Sequence, residues 1–254
     1  MRILQISDTH LGITKEKAIR KCLNKLKNEK FDMLIHCGDY CGGTVGHKTL
    51  TATVKMIRDA FPDITYASVI GNHDVWCAEK MKRKYKTSQA LFDENYEKIL
   101  KTFDEHNVFF FDEDGIFKPH DHPDILILGQ SGWYTHPNPP TNDSYYLPTG
   151  AHEMLRKRAH NQLHRDIDAL DKIYEEDFHT VVFVSHFPVV KGFDYKGGFE
   201  DFSWSENISK FFIEHYNCKY FLNGHAHQYH NGENFRYESG SDYGNPEAHI
   251  VNVF

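Results

Sequence analysis

Residues 64–74 read ITYASVIGNHD, a run of β-branched and aromatic residues that ends in a glycine and three polar residues. Such a run, bounded by a turn signal, predicts a buried strand. Gly71 permits a tight turn, and the amide oxygen of Asn72 can serve as a metal ligand. His73 is followed at once by Asp74, which is in place to orient the imidazole ring and raise its pKa. The stretch therefore predicts a strand that delivers reactive side chains to its carboxyl end.

The same arrangement, a short apolar run followed by polar residues, recurs at four other places along the chain. These are Asp8-Thr9-His10 after Ile3–Ile6, Gly38-Asp39 after Met33–Cys37, His186 after Val181–Ser185, and Gly224-His225-Ala226-His227 after Tyr220–Leu222. Residues two apart in an extended segment point to the same face. Asp8 with His10 can therefore chelate one metal, and His225 with His227 can address the same or adjacent metals. Asp39 has two oxygens and can bridge two cations.

Each segment also has an ordinary structural explanation. The Asp8 and His10 pair fits a solvated strand end, and Asp39 fits a helix N-cap or an Asx-turn. A single histidine such as His186 after a strand is commonly structural. The combination favours a functional site, because the carboxyl ends of strands in open α/β sheets share one edge where ligands bind.

Short apolar runs and helical patterns alternate along the chain. The runs predict strands at Ile3–Ile6, Met33–His36, Ile64–Ile70, Val108–Phe111, Ile125–Leu128, Val181–Val184, Tyr220–Leu222 and His249–Val253. Apolar residues at helical spacing predict helices at Lys15–Asn28, Leu50–Phe61, Gln89–Phe103, Glu153–Tyr174 and Glu206–Tyr216. The order predicts βαβ units over residues 1–70 and a second sheet packed on the first. We expect residues 1–254 to form a single domain, with long loops at Gly132–Gly150 and Lys191–Ser203.

Composition excludes several classes of protein. The formal net charge of −7 argues against a broad basic surface, so we expect no extended binding of duplex nucleic acid. The sequence has no visible secretory signal and no membrane-length apolar run. Five cysteines form an odd set, which predicts a reduced, cytoplasmic protein. Cys37 and Cys41 could be zinc ligands, with Cys77 and His36 as further ligands. The pair lacks the second half that a structural zinc site requires, so we interpret Cys37 and Cys41 as packing residues beside a strand end.

The ordered motifs Asp-x-His, Gly-Asp, Gly-Asn-His-Asp, His and Gly-His-x-His run from Asp8 to His227. Together they resemble the calcineurin-like metallophosphoesterase superfamily, and none of its motifs is missing. The resemblance implies an α/β fold in which two mixed β-sheets pack as a sandwich flanked by helices, an α/β/β/α architecture. It also implies a pair of divalent metal ions at one edge of the sheets.

The resemblance assigns a role to each motif residue. Asp8, His10 and His227 correspond to the ligands of one metal, while Asn72, His186 and His225 correspond to those of the other. Asp39 corresponds to the bridging ligand. His73 matches the residue that protonates the leaving group, and Asp74 matches its orienting neighbour.

The chemistry of these residue types agrees with the resemblance. Two divalent ions can share a hydroxide and lower its pKa toward neutrality, so that it attacks phosphorus in line. Their charge exceeds that of Asp8, Asp39 and one hydroxide, which favours a phosphate anion despite the acidic chain. Mixed imidazole and oxygen ligands suit Mn, Fe, Zn, Co or Ni better than Mg alone. The sequence does not distinguish among these metals.

The leading prediction is a hydrolase of a small phosphoester, of nucleotide type, acting on a phosphomonoester or a phosphodiester. One alternative is a nuclease for short or single-stranded nucleic acid, although the chain ends soon after His227, where nucleases of this kind add a DNA-binding cap. The protein Ser/Thr phosphatase branch fits less well, because Gly38-Asp39 lacks the Asp-Arg-Gly continuation and Asp74 stands in place of glutamate. An alternative of another class is a catalytically inactive, metal-binding interaction scaffold. The oligomeric state is left open.

Two further groups of residues could contact a substrate. The basic run Lys80–Lys86 could contact nucleic acid, but we interpret it as a solvated segment because the whole chain is acidic. Trp133, Tyr134 and His136 could stack on a base or fasten a long loop, and both interpretations stay open. The histidines outside the motifs, including His160 and His164, are interpreted as surface or capping residues.

Overall fold

The computed structural model describes residues 1–42, 47–76, 88–132, 147, 150–176, 179–189, 206–225, 227, 230–232, 236–238 and 244–254. The strands in this part of the chain are β1 (Arg2–Ile6), β2 (Met33–Cys37), β3 (Thr65–Val69), β4 (Val108–Phe110), β5 (Ile125–Gln130), β6 (Thr180–Ser185), β7 (Tyr220–Asn223), β8 (His230–Gly232), β9 (Arg236–Glu238) and β10 (Ala248–Asn252). The helices are α1 (Glu16–Leu26), α2 (His47–Ala60), α3 (Asn72–Val75), α4 (Ser88–Glu105), α5 (Phe111–Asp114), α6 (Ala151–Leu170) and α7 (Glu206–Tyr216).

Helix α1 shows how local sequence determines these elements. Ile19 and Leu23, four residues apart, lie on one face of the helix and are fully or almost fully buried. Glu16 in the first turn and Lys25 in the last turn complement the helix dipole. The exposed Glu16–Arg20 pair, at 2.7 Å, adds only about 0.3–0.5 kcal/mol. Burial of the apolar face is therefore the main stabilising contribution to this helix.

The strands form two five-stranded sheets. The first has the order β10-β1-β2-β3-β4, in which β10 is antiparallel to β1 and the other neighbours are parallel. The second has the order β5-β6-β7-β9-β8, in which only the pairing of β8 with β9 is antiparallel. Both sheets are thus mixed, and the carboxyl ends of the parallel strands in each sheet share an edge.

Three buried clusters define the layers. The middle cluster contains side chains from both sheets, including Ile35 of β2 and Val184 of β6. A second cluster lies between the first sheet and its helices, and it includes Leu34 of β2. The third lies between the second sheet and helices α6 and α7, and it includes Phe183 of β6. Because neighbouring residues of one strand belong to different clusters, both faces of each sheet are covered, and the predicted α/β/β/α architecture is confirmed.

The predicted elements agree with the observed ones, with ends that differ by up to four residues. The sequence did not predict the three-residue strands β8 and β9 or the four-residue helices α3 and α5, because elements this short have no measurable periodicity. Three of the segments discussed above lie wholly or mostly outside the described residues. They are Lys80–Lys86, Lys191–Ser203 and most of Gly132–Gly150, which includes Trp133, Tyr134 and His136. Among the described helices, none has the length and apolar character needed to cross a bilayer.

Candidate metal centre

All seven predicted metal ligands lie just beyond the carboxyl ends of five strands. Those from the first sheet follow β1, β2 and β3, and they are Asp8, His10, Asp39 and Asn72. Those from the second sheet follow β6 and β7, and they are His186, His225 and His227. Backbone contacts join the loops, since the N–H of Gly224 donates to the carbonyl of His186 at 3.1 Å. The structure therefore brings the seven residues to one end of the sandwich.

The acidic and imidazole ligands form two groups that share Asp39. Ligand atoms of Asp8, His10, Asp39 and His227 all lie within 4.8 Å of one another, and so do those of Asp39, His186 and His225. Asn72 joins the second group, because its Oδ1 lies 3.1 Å from Nε2 of His186. Each group has the mixed nitrogen and oxygen donors that divalent transition metals prefer. The residues present therefore fit a pair of metal ions.

Asp39 has the orientation needed to serve both groups. Its Oδ1 accepts the N–H of His73 at 2.9 Å, which fixes the carboxylate plane. Its Oδ2 lies 3.7 Å from Nε2 of His10 in the first group and 3.5 Å from Nε2 of His186 in the second. One carboxylate oxygen is thus directed between the two groups.

Asp8 links the first sheet to the second. Both of its oxygens accept the N–H of His225, at 3.0 and 3.1 Å, and its Oδ1 lies 3.3 Å from Nε2 of His227. Burial alone would raise the pKa of Asp8, but the charge of His227 and the close side-chain contacts with His10 and His227 outweigh it and hold this pKa well below its usual range. Asp8 is therefore an anionic group in a fully buried position, which suits it to bind a cation.

The imidazoles are held in the tautomer that a metal requires. Nδ1 of His186 donates to the carbonyl of Cys37 at 2.8 Å, and Nδ1 of His10 donates to the carbonyl of Cys41 at 3.0 Å. The Nε2 lone pairs of both rings consequently face the cluster. Burial lowers the pKa of His186 to about 4 and lowers the pKa of His225 well below its usual range. Neutral imidazole, the form that coordinates metals, is therefore favoured.

The backbone is strained where the ligands lie. Among the described non-glycine residues, positive φ angles occur at Asn107, Asn217 and five of the predicted ligands. The ligand values are 49° at Asp8, 43° at His10, 58° at Asp39, 72° at His225 and 55° at His227. A left-handed conformation costs a residue with a side chain about 1–2 kcal/mol. Its concentration at one edge of the fold is typical of a functional site.

Two glycines allow the ligand loops to approach one another. A Cβ atom at Gly71 would lie 2.1 Å from Oδ1 of Asp39, and one at Gly224 would lie 2.7 Å from the carbonyl oxygen of Cys37. Both distances are well below any tolerated contact. The glycines of the Gly-Asn-His-Asp and Gly-His-x-His motifs are therefore required by packing between loops.

His73 lies at the rim of the two groups, in the first turn of α3. Its ring stacks on Trp76 with centroids 3.7 Å apart and lies edge-on to His10 at 4.6 Å. Its Nε2 is 4.0 Å from Oδ2 of Asp39, and among the described residues its Nδ1 has no hydrogen-bond partner. Burial, followed by repulsion from His10 and the other imidazoles, lowers the pKa of His73 to about 2. Sequence reasoning did not identify Trp76, although an aromatic three residues after His73 on a helix is a usable signal.

Asp74 has different partners from those that the sequence predicts. Its carboxylate accepts three backbone N–H groups, from Gly71 at 2.9 Å and from Asp39 and Cys41 at 3.0 Å each, instead of contacting the ring of His73. The reason is geometric, because successive residues of a helix point in different directions and the third residue folds back over the amino terminus. Burial raises the pKa of Asp74 to about 6, against the effect of these hydrogen bonds.

His36 is a second residue whose role the sequence did not reveal. The sequence suggested at most a zinc ligand beside Cys37 and Cys41. All three side chains are fully buried, and burial raises the pKa of the Cys41 thiol well above its usual range, which disfavours the thiolate that zinc requires. His36 instead bonds to two of the ligand loops. The available signal was a polar ring within an otherwise apolar strand.

Comparison with known proteins agrees with this geometry. No curated protein sequence matches the chain. The crystal structure of TT1561 of Thermus thermophilus matches with a TM-score of 0.58 and 15% sequence identity, over 94% of this chain and 88% of that chain. Another solved structure matches with a TM-score of 0.54 and 11% identity, over 94% of this chain and 90% of its own. At such low identity these similarities concern the fold alone.

The family model described as calcineurin-like phosphoesterase matches residues 1–229. The match includes every predicted ligand, as well as His73 and Asp74, and the buried histidine and aspartate groups are those of a metal-dependent phosphoesterase. The chain therefore belongs to the calcineurin-like phosphoesterase family.

Proposed function

We propose that this protein hydrolyses a small phosphate ester of nucleotide type at a dinuclear metal centre. The observation that carries the proposal is the pair of ligand groups with Asp39 in common. A single shared carboxylate between two sets of imidazoles is an arrangement suited to two neighbouring cations. A lone structural ion would not need both sets.

The proposed ligands divide according to these groups. Asp8, His10 and His227 would hold one divalent ion, Asn72, His186 and His225 would hold the other, and Asp39 would serve both. The donor set suits Mn, Fe, Zn, Co or Ni. When bound, the two ions supply Lewis acidity toward a phosphoryl oxygen and lower the pKa of water.

Asp74 has a positioning role in this proposal. Its carboxylate holds the backbone N–H groups of Gly71, Asp39 and Cys41, which belong to the loops after β3 and β2. It therefore fixes the bridging ligand and the loop that carries Asn72 and His73 as one unit. An uncharged replacement would weaken three charge-assisted hydrogen bonds together.

His73 is the proposed proton donor to the leaving group. Its position at the rim supports this role, because His73 is 8% exposed as a residue while neighbouring proposed ligands such as His10 and His186 are fully buried. In the resting site, burial and the surrounding imidazoles disfavour the protonated ring. We propose that the ring takes up its proton together with the substrate, whose negative charge raises the pKa of His73. The departing oxygen then receives that proton.

A small substrate is supported by the electrostatics of the chain. The net charge of −7 would repel phosphate, and a pair of divalent ions at the centre would supply the positive charge that attracts it. The nuclease alternative and the scaffold alternative remain as outcomes of the experiment below.

The test uses purified protein with and without added manganese, assayed for bound metal and for hydrolysis of bis(p-nitrophenyl) phosphate. We expect two ions per chain and metal-dependent turnover, with a loss of about 10²–10⁴-fold in kcat/KM in Asp39→Asn. Asp166→Asn is a matched control, because Asp166 is another buried aspartate and its bond to Gln162 survives the change. Two bound ions without turnover would support the scaffold instead. A panel of nucleotides, cyclic nucleotides, dinucleoside polyphosphates and short oligonucleotides then separates the ester classes.

A further inference from the structure

His36 is a fully buried histidine on β2, one residue before the strand ends. Its ring stacks on that of Tyr40, with centroids 3.6 Å apart and planes inclined by 12°. The hydroxyl of Tyr40 is in turn fixed by Ser68 at 2.5 Å and Tyr66 at 2.8 Å. The ring of His36 is consequently held in one orientation by its surroundings.

Both ring nitrogens of His36 have defined hydrogen-bond partners. Nδ1 accepts the backbone N–H of Gly38 at 3.1 Å, so the ring proton is on Nε2. Nε2 lies 3.3 Å from Oγ1 of Thr9 and donates to it. Burial lowers the pKa of His36 to about 3, which keeps the ring neutral and this tautomer in place. The imidazole therefore forms a fixed bridge between two loops.

The two loops joined by this bridge carry three of the proposed ligands. Thr9 lies between Asp8 and His10, and Gly38 precedes Asp39. The backbones of the same loops are also paired, with the N–H of Asp8 donating to Gly38 at 3.0 Å and that of His10 donating to Asp39 at 3.1 Å. These residues have left-handed backbones, so ordinary sheet pairing no longer maintains their spacing.

We propose that His36 is a positioning residue that sets the distance between the Asp8–His10 loop and Asp39, and so tunes the affinity of the metal centre. The inference rests on the proposed role of those three residues as ligands. Outer residues that orient metal ligands typically change metal affinity about 10–100-fold when they are replaced.

Replacement by phenylalanine isolates the effect of the two hydrogen bonds. His36→Phe keeps an aromatic ring against Tyr40 but leaves the N–H of Gly38 and the hydroxyl of Thr9 without this partner. The matched control is His179→Phe, because His179 is also buried and its Nδ1 accepts a backbone N–H, that of Glu175, at 2.9 Å. His179 precedes β6 and therefore lies at the opposite end of that strand from His186.

The measurements are the affinity for manganese or cobalt, by titration against a chelator, and the free energy of unfolding of the metal-free protein. We expect His36→Phe to bind metal about 10–100-fold more weakly than the wild type, and His179→Phe to bind it normally. Both variants should lose stability in the metal-free state. A purely structural role would lower stability in both without changing metal affinity in either, and that result would overturn the proposal.

Two further variants restore one contact each and guard against misfolding. His36→Asn offers an oxygen near the position of Nδ1 for the N–H of Gly38, and His36→Gln offers an N–H near that of Nε2 for Thr9. We expect both to bind metal more tightly than His36→Phe and more weakly than the wild type. Equal affinity for all three variants and the wild type would refute the positioning role. If the wild type itself bound no divalent ion, the proposed function would fail first.

Discussion

The two edges of the first sheet use their polar groups in opposite ways. At the amino end of β3, the half-buried guanidinium of Arg58 donates to four backbone carbonyls, those of His106, Pro62, Ile64 and Asn107, at 2.7–3.2 Å. At the carboxyl end, ligand atoms of neighbouring residues crowd to within 4.8 Å of one another. At the amino end, the hydrogen bonds of Arg58 pair backbone carbonyls and stabilise the fold. At the carboxyl end, acidic and imidazole groups lie so close together that a cation between them would stabilise them.

Buried carboxyl groups differ between regions in the same way. Asp8, in the candidate metal centre, is held anionic chiefly by the charge of His227 and by side-chain contacts with His10 and His227, in spite of the burial that would raise its pKa. At Asp166, on α6, burial raises the pKa to about 7 and the neighbouring Asp112 adds to the shift, against the weaker opposing effects of Gln162 and Arg165. Burial thus acts alike on both groups, and the neighbouring charges decide which one ionises.

The largest expected effect tests whether the residues at the carboxyl ends of the strands catalyse hydrolysis. We expect His73→Ala to lower kcat/KM about 10²–10⁴-fold for an alkyl or ribose ester. The loss should be much smaller for a nitrophenyl ester, because nitrophenolate departs without a proton. Steady-state kinetics on both esters check this, with His179→Ala as a control that leaves both rates unchanged. Equal losses on the two esters would refute the proton-donor role.

The next effect tests whether the amino edge serves stability alone. Arg58→Ala removes four hydrogen bonds from a charged donor, so we expect the free energy of unfolding to fall by about 2–3 kcal/mol. Turnover per folded molecule and metal content should not change. The control is Lys55→Ala on the same helix, because its exposed pair with Asp59 at 2.9 Å is screened by solvent and should contribute little to stability. Urea unfolding gives the free energy of unfolding of both variants. A loss of bound metal in Arg58→Ala would contradict the view that the amino edge serves stability alone.

The sequence predicted the proposed ligands at the carboxyl ends of the strands better than it predicted the residues that hold those ligands in place. Asp39 and the other proposed ligands could be predicted because five apolar runs each end in polar residues, and the carboxyl ends of such strands share one edge. The partners of Asp74 could not be predicted, because three backbone N–H groups from two loops converge on it only after the sheet has formed. His36 was equally hidden, since its contacts with Thr9 and Gly38 depend on tertiary placement.

A smaller effect tests the contrast between the two kinds of buried carboxyl group. Because the pKa of Asp166 is about 7 in the folded protein and near 3.8 when unfolded, the folded state binds this proton more tightly. Wild-type stability should therefore fall, through this group, as the pH rises from about 4 to about 7.

Asp166→Asn removes that dependence and keeps the bond to Gln162. We expect the variant to gain stability relative to the wild type over this pH range, by an amount on the order of 1–2 kcal/mol near pH 7. Urea unfolding at pH 4.5 and pH 7.5 checks it. A pH-independent difference between the two proteins would mean that Asp166 is already ionised at low pH.

The smallest effect concerns left-handed backbone placed away from the metal edge. Asn217 follows α7 with a φ of 47°, and the next N–H, that of Cys218, donates to the carbonyl of Phe212 at 3.1 Å to close the helix end. Asparagine tolerates this conformation, so Asn217→Gly should be nearly neutral, while Asn217→Ala should cost about 1 kcal/mol. Neither change should alter metal binding or turnover. Asp8 and Asp39 adopt the same conformation, and aspartate tolerates it much as asparagine does, so a measured alanine penalty at Asn217 gives an upper scale for the backbone strain at these two positions.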